Sequence, residues 1–191
     1  MPALIFDTET TGMFVRNARP DNPSIAKLVQ LGAVLLDDAG VEVSSLNLII
    51  YPERWEVPEG AAAIHGISTN RAKRYGVALE NACHAFSDLL DIADVLVAHN
   101  ETYDDQIMQH AFWMSNLDPI KVAGKRKFCT MQSSTAIVKA PKKVGSGYKW
   151  PTLTECTRFF FDEALDGAHD AMVDVRATAR IYTHLTKERV H

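Results

Sequence analysis

A chain of 191 residues with 47% hydrophobic content is long enough to bury one sizeable core and short for two, so residues 1–191 are read as a single domain. Its net charge of −4 excludes a protein that coats nucleic acid through bulk positive charge, while leaving room for an acidic metal site flanked by local basic loops. Cys83, Cys129 and Cys156 are too few and too irregularly spaced for a disulfide framework or a zinc cluster, and no apolar run is long enough to cross a bilayer, so a soluble cytoplasmic protein with no membrane partner is expected.

The first element is Leu4-Ile5-Phe6-Asp7-Thr8-Glu9-Thr10-Thr11-Gly12, an apolar run that ends in two acids one residue apart. Read as a strand, it turns Asp7 and Glu9 to the same face, roughly 6.6 Å apart along the backbone, where both carboxylates can reach one hard cation. An isolated Asp-x-Glu is more often a solvated strand end, so its meaning depends on partners elsewhere. Residues 13–27 lack periodicity and read as a loop, in which Phe14 and Arg16 are candidates for touching a ligand. Two further strands follow, over Leu28–Leu36 and 46–51, joined by the turn residues of Asp37-Asp38-Ala39-Gly40. Pro52 and Pro58 then break the pattern ahead of His65-Gly66-Ile67-Ser68.

Leu79, Ala82, Cys83, Phe86, Leu89 and Leu90 recur at helical intervals and predict an amphipathic helix over 77–92. It feeds a short buried strand, Val95–Ala98, which indicates an α/β arrangement. Asn100 is placed as the N-cap of the next helix, and Asp104 borders that helix's buried face, where an acid is unexpected. Residues 121–127 and 139–149 hold most of the local positive charge. In the second stretch Gly145, Gly147, Tyr148 and Trp150 interleave with lysines, a composition suited to a loop that holds a phosphate backbone and stacks bases, and equally to an ordinary solvated loop. Residues 128–131 read as a short edge strand followed by a helical segment, and Thr152 caps a helix running to Phe161. In the last helix Asp174 occupies the stripe formed by Ala171, Val175, Thr178, Ile181 and Leu185, and His169 converges on it if the histidine lies in the loop before the first turn.

Four acids thus fall at strand ends or in first helical turns, and their order forms a pattern. The chain resembles the DEDD superfamily of 3′–5′ exonucleases in its histidine-bearing branch, similar to polymerase proofreading subunits and RNase T. The resemblance rests on Phe6-Asp7-Thr8-Glu9-Thr10-Thr11-Gly12, on His99-Asn100 with Asp104 four residues beyond the asparagine, and on His169, Ala171 and Asp174 in the pattern H-x-A-x-x-D. His65-Gly66-Ile67 also resembles the family's His-Gly-Ile segment near the substrate, and Tyr103 stands where the family often has phenylalanine.

The resemblance implies an α/β, RNase H-like fold, with a mixed central sheet whose first three strands are antiparallel and with helices on both faces. It implies a metal-dependent 3′–5′ exonuclease that releases nucleoside 5′-monophosphates from a free 3′ end, with single-stranded DNA favoured and an exoribonuclease as the alternative. Two divalent ions, Mg²⁺ or Mn²⁺, are implied: Asp7 is shared between them, Glu9 and Asp174 complete one, Asp104 positions the other, and His169 is the general base. Thr10, Thr11, Gly12, Phe14, His65, Asn100 and Tyr103 are the implied substrate contacts. The chain ends soon after its last motif, so it is expected to work alone or to dock on a DNA polymerase or other replication protein. Competing readings are a nucleic-acid-binding module without catalysis and a domain whose acids only bind a stabilising ion; metal-dependent turnover separates them from an enzyme.

Overall fold

In the computed structural model, which describes residues 1–187, the N-terminal strand lies in the middle of a five-stranded sheet. β1 (Ala3–Thr10) pairs antiparallel with β2 (Leu28–Leu36), which pairs antiparallel with β3 (Glu42–Ile49). On its other side β1 runs parallel to β4 (Val95–Ala98), and β4 runs parallel to β5 (Arg126–Cys129), giving the order β3-β2-β1-β4-β5. The helices are α1 (Glu59–His65), α2 (Thr69–Tyr75), α3 (Leu79–Ile92), α4 (Glu101–Met114), α5 (Ile120–Ala123), α6 (Thr130–Val138), α7 (Leu153–Phe161) and α8 (Ala171–Lys187).

Alternation along β1 sorts its side chains between two helical layers. Ala3 and Ile5 pack with Val34, Val95 and Val97 against Met172, Val175 and Ala179 of α8. Leu4 and Phe6 face the other way, with Leu31, Ala33 and Leu96, against Phe86 and Leu90 of α3 and Ile107, Met108 and Phe112 of α4. The Phe6 and Phe86 rings stand 5.5 Å apart and those of Phe86 and Phe112 6.3 Å, which ties sheet to helices through aromatic contacts. Each fully buried side chain of this kind contributes about 1.5–3 kcal/mol. All nine residues of β2 are buried, as their continuous apolar pattern predicts for a strand covered on both faces.

β2, β4 and the helix after Thr152 fall where the sequence places them, and the mixed sheet with antiparallel first strands agrees with the RNase H-like expectation. β3 begins four residues earlier than predicted, because Glu42 and Ser44 pair with Leu36 and Leu35 of β2, with Val43 bulging between them, on an exposed edge that carries no apolar run. β5 begins at Arg126, two residues before the predicted edge strand, and residues 59–75 form two short helices that the proline breaks concealed. Asn100 occupies the N-cap position of α4 but makes no side-chain capping bond; it adopts a left-handed conformation (φ 75°) in the turn out of β4. Thr152 does cap α7, in a reciprocal pair with Glu155.

The first basic stretch is not placed as a phosphate grip. β5 is parallel to β1, so Arg126 lies beside Val95 and Ala3 at the end of the sheet opposite Asp7 and Glu9. Its lysines are occupied within the protein: Lys121 reaches Ser87 and Asp91, Lys125 the Ala93 carbonyl, and Lys127 the Asp105 carboxylate and the Val122 carbonyl. No helix among the described residues is long and apolar enough to cross a membrane.

Candidate active site

At the C-terminal end of β1 the alternation that built the core delivers chemistry. Asp7 and Glu9 continue the face of Ala3 and Ile5 toward α8, which carries Asp174, while Thr8 turns to α4, which carries Asp104. Asp104 is 3% exposed, and its Oδ1 accepts from the Thr8 amide at 3.0 Å and from the Thr8 hydroxyl at 2.7 Å. A single strand therefore presents two acids on one face and orients a third through the residue between them.

The fourth acid depends on how α8 begins. Asp174 is 9% exposed, and its Oδ2 accepts from the backbone N–H of His169 at 3.1 Å. His169 lies in the turn before the helix, exposed and in a left-handed conformation (φ 70°), so it reaches Asp174 as the sequence reading required. Ligand atoms of Glu9, His169 and Asp174 all lie within 4.8 Å of one another. Asp7 and Asp104 stand outside that tight group and join it electrostatically.

Two residues missed by sequence reading hold this turn. Asp170 accepts from the amides of Met172 and Val173 at 3.0 and 3.4 Å, and Gln30 accepts from the Ala171 amide at 3.3 Å while donating to Asn47 at 2.9 Å and to Asp170 at 3.5 Å. Together they satisfy the free amides of the first turn of α8. Asp170 carried a signal, a short acid immediately before a helix. Gln30 carried a fainter one, the lone polar side chain in a continuous apolar strand. Gly32, opposite Asp7 in the β1–β2 register, completes the arrangement: a Cβ there would come within 2.7 Å of the Ala171 backbone.

Burial at the strand end raises the proton affinity of all four carboxylates, and neighbouring acids add to it. Burial, then Asp104, Asp174 and Glu9, push Asp7 well above the usual carboxylate range. Glu9 is pushed up to about 8 by burial and by Asp174 and Asp104, and Asp104 to about 7, mainly by burial and against the pull of the two Thr8 hydrogen bonds. Burial likewise raises Asp174. Asp174 Oδ1 is buried with no hydrogen-bond partner among the described residues. An orphaned carboxylate oxygen amid three like charges fits a hard divalent cation, which takes oxygen ligands and compensates the charge.

The remaining predicted residues lie on the turn after β1, at the end of α1 and at the start of α4. The Tyr103 hydroxyl donates to the Gly12 carbonyl at 2.6 Å and meets the Thr10 hydroxyl, which also reaches Gly12, so Tyr103 fastens the Thr10–Gly12 turn. Thr11 pairs with Lys27 through both its amide and its hydroxyl. His65, at the end of α1, is buried beside the Thr10 backbone and His169; its Nδ1 accepts from the Ile67 amide, leaving Nε2 as a donor without a partner among the described residues. Phe14 is exposed in the loop after Gly12, and Asn100 is exposed at the start of α4. His99, by contrast, bonds Thr130 through Nδ1 and the Pro151 carbonyl through Nε2 and is held neutral by burial, with its pKa near 4, which makes it a strut.

A family model described as Exonuclease, of the RNase T type, matches residues 4–182. The DNA polymerase III subunit epsilon of Buchnera aphidicola subsp. Acyrthosiphon pisum is 25% identical over 183 residues, covering 96% of this chain and 72% of that protein. Its counterpart from Buchnera aphidicola subsp. Baizongia pistaciae is 22% identical over 187 residues, covering 96% and 70%. Among solved structures, E. coli exonuclease I in complex with a dT13 oligonucleotide matches with a TM-score of 0.79 at 18% identity, covering 99% of this chain and 42% of that one. The same enzyme in complex with a dA16 oligonucleotide matches with a TM-score of 0.78 at 20% identity, covering 98% and 41%. The chain spans less than half the length of those exonuclease I chains, and at such identity the likeness concerns the fold. Because the family model runs from the strand of Asp7 and Glu9 through the helix of Asp104 to the turn of His169 and Asp174, the chain belongs to the exonuclease family, as a 3′–5′ exonuclease of the DEDD type.

Proposed function

We propose that residues 1–191 act as one metal-dependent 3′–5′ exonuclease domain that hydrolyses single-stranded DNA from its 3′ end and releases nucleoside 5′-monophosphates. The observation that carries this reading is the convergence of Asp7, Glu9, Asp104 and Asp174, all with raised proton affinity, beside an exposed histidine. The four carboxylates would hold two divalent cations, Mg²⁺ or Mn²⁺; such ions, when bound, activate water and offset charge growing on the departing oxygen. His169 takes the proton from the attacking water, and its geometry suits the task because Asp174 fixes its backbone while its ring stays open to solvent. The Nε2–H of His65, without a partner among the described residues, donates to a phosphate oxygen of the bound strand, and the turn of Thr10, Thr11 and Gly12 borders the terminal nucleotide. Phe14, exposed in the loop after that turn, Asn100, exposed at the start of α4, and Tyr103, which fastens the turn, complete the contacts to the terminal nucleotides.

Single-stranded DNA is favoured because exonuclease I, a structural neighbour, was solved with dA16 and dT13 oligonucleotides, and the epsilon relatives point to a replication polymerase as a partner. An exoribonuclease is the second reading, since contacts to the 2′-hydroxyl decide it. The test is a panel of 5′-labelled single-stranded DNA, duplex DNA and RNA, each with Mg²⁺, Mn²⁺ or EDTA. Fastest shortening of single-stranded DNA, abolished by EDTA, is expected. Faster shortening of RNA would move the assignment to the exoribonuclease, and equal turnover in EDTA would overturn metal dependence.

A further inference from the structure

We propose that the hairpin over residues 140–149, with Trp150 at its base, grips the single strand leading away from the cleaved end, so that the enzyme prefers long single-stranded polynucleotides to short oligonucleotides. The inference rests on the exonuclease reading and adds a second contact zone to it. The segment is built as a hairpin: the Lys149 amide donates to the Ala140 carbonyl at 3.0 Å, Pro141 bridges Tyr148, and Gly145 and Gly147 make the turn with φ of 84° and 86°. Lys142 reaches across that turn to the Ser146 carbonyl at 3.3 Å.

Its tip projects while its root is fixed. Val144 is 88% exposed, Trp150 63% and Tyr148 47%, and Lys142 and Lys143 are exposed beside them. At the root, Ala140 is buried, Lys149 is paired with Glu155 at 2.6 Å, and the Pro151 carbonyl accepts from His99 Nε2 at 3.0 Å. His99 directly follows β4 and stands two residues beyond Val97, as Asp7 stands two residues beyond Ile5, the partner of Val97 and the last pair of the parallel register. Neighbouring strands are about 5 Å apart, so the hairpin rises from the edge of the acidic cleft.

Charge and chemistry identify the occupant. A chain of net charge −4 with four acids at its centre repels a polyanion, so a strand held beyond the cleaved end needs local cations, and Lys142 and Lys143 supply them where the first basic stretch cannot. Tyr148 and Trp150 offer wide aromatic faces to solvent, which unpaired bases can stack on and a duplex cannot. Such a contact reads base faces and phosphates, so it favours single strands without distinguishing DNA from RNA.

The test measures binding of 5′-labelled oligothymidylates of about 16 and about 3 nucleotides to the full chain in EDTA, beside hydrolysis of both in Mg²⁺. Trp150→Ala is expected to weaken binding of the longer strand about tenfold, and to lower the long-over-short preference in kcat/KM by the same factor. Lys142→Ala with Lys143→Ala is expected to reduce the slope of log K against log salt by about one to two. Affinity for the longer strand unchanged in both variants, or lost equally for both lengths, would overturn the inference and leave the hairpin to a protein partner. Loss of long-strand binding in a chain that hydrolyses nothing would support the grip and overturn the exonuclease reading.

Discussion

Asp7 is the residue in which stability and chemistry oppose each other most directly. It contributes to a cluster that holds extra protons when free of metal, so its neutral, nearly isosteric replacement relieves repulsion while removing a ligand. Asp7→Asn is expected to melt several degrees above the parent protein in EDTA at pH 8, and to lose about 10³-fold or more in nuclease rate, the loss that follows when several kcal/mol of charge stabilisation disappear. A melting point below the parent's would show that Asp7 is stabilising in the metal-free fold. For His169, replacement by alanine should cost about 10²–10⁴-fold in rate. Added imidazole should restore part of it if the lost function is proton transfer, and an imidazole-independent rate would assign the base elsewhere. The acids are visible in the sequence because they interrupt apolar patterns at Asp104 and Asp174 and follow one at Asp7, while their roles and that of His169 come from the family resemblance. Less legible was the left-handed backbone that aims His169, since no local residue type demands it, and the roles of Gln30 and Asp170, which exist only once β2 and α8 are side by side.

At the scale of elements, the site depends on how closely the start of α8 approaches the sheet. Gly32 permits that approach, and a methyl group there would meet the Ala171 backbone at 2.7 Å, so α8 must move outward. Gly32→Ala is expected to cost about 1–3 kcal/mol in denaturant unfolding, and to lower activity more than stability because Asp174 and His169 travel with the helix. Stability loss with full activity would show that the first turn of α8 repacks without moving its acids. The strands themselves were readable, because β2 is continuously apolar and β1 ends in its acids. The start of β3 is hidden from the sequence since only one of its faces is buried, and α1 and α2 are hidden because they are short and follow the breaks at Pro52 and Pro58. Lys121 to Lys127 shows a different limit: clustered charge along the chain does not reveal which end of a parallel strand it occupies, and the register of β4 with β5 sends it away from the cleft.

For the whole molecule, the acidic centre links folding to pH and to cations. In the fold Glu9 and Asp104 keep their protons to about pH 8 and about pH 7, whereas their ordinary values are 4.5 and 3.8. Between those limits the native state binds more protons than the unfolded chain, so metal-free stability is greatest at the acidic end and falls as pH rises toward 8. Thermal melts in EDTA should therefore decline from pH 5.5 to pH 8, and Mg²⁺ should raise the melting point more at pH 8 than at pH 5.5, since cations compete with protons for the same oxygens. A metal-induced rise that is larger at pH 5.5 would contradict this linkage. The architecture that unites these effects, two helical layers closing on one strand end, followed from family resemblance where strand order was concerned; alternation alone identified the faces. Whether this strand end cleaves nucleic acid from the 3′ terminus is decided by a single-turnover time course on one oligonucleotide labelled at either end. In Mg²⁺ the 3′ label is expected to leave as a mononucleotide in the first turnover while the 5′ label descends a ladder one nucleotide at a time, and Asp7→Asn to abolish both; internal cuts, release from the 5′ end, or an unimpaired Asp7→Asn protein would overturn the 3′–5′ exonuclease reading.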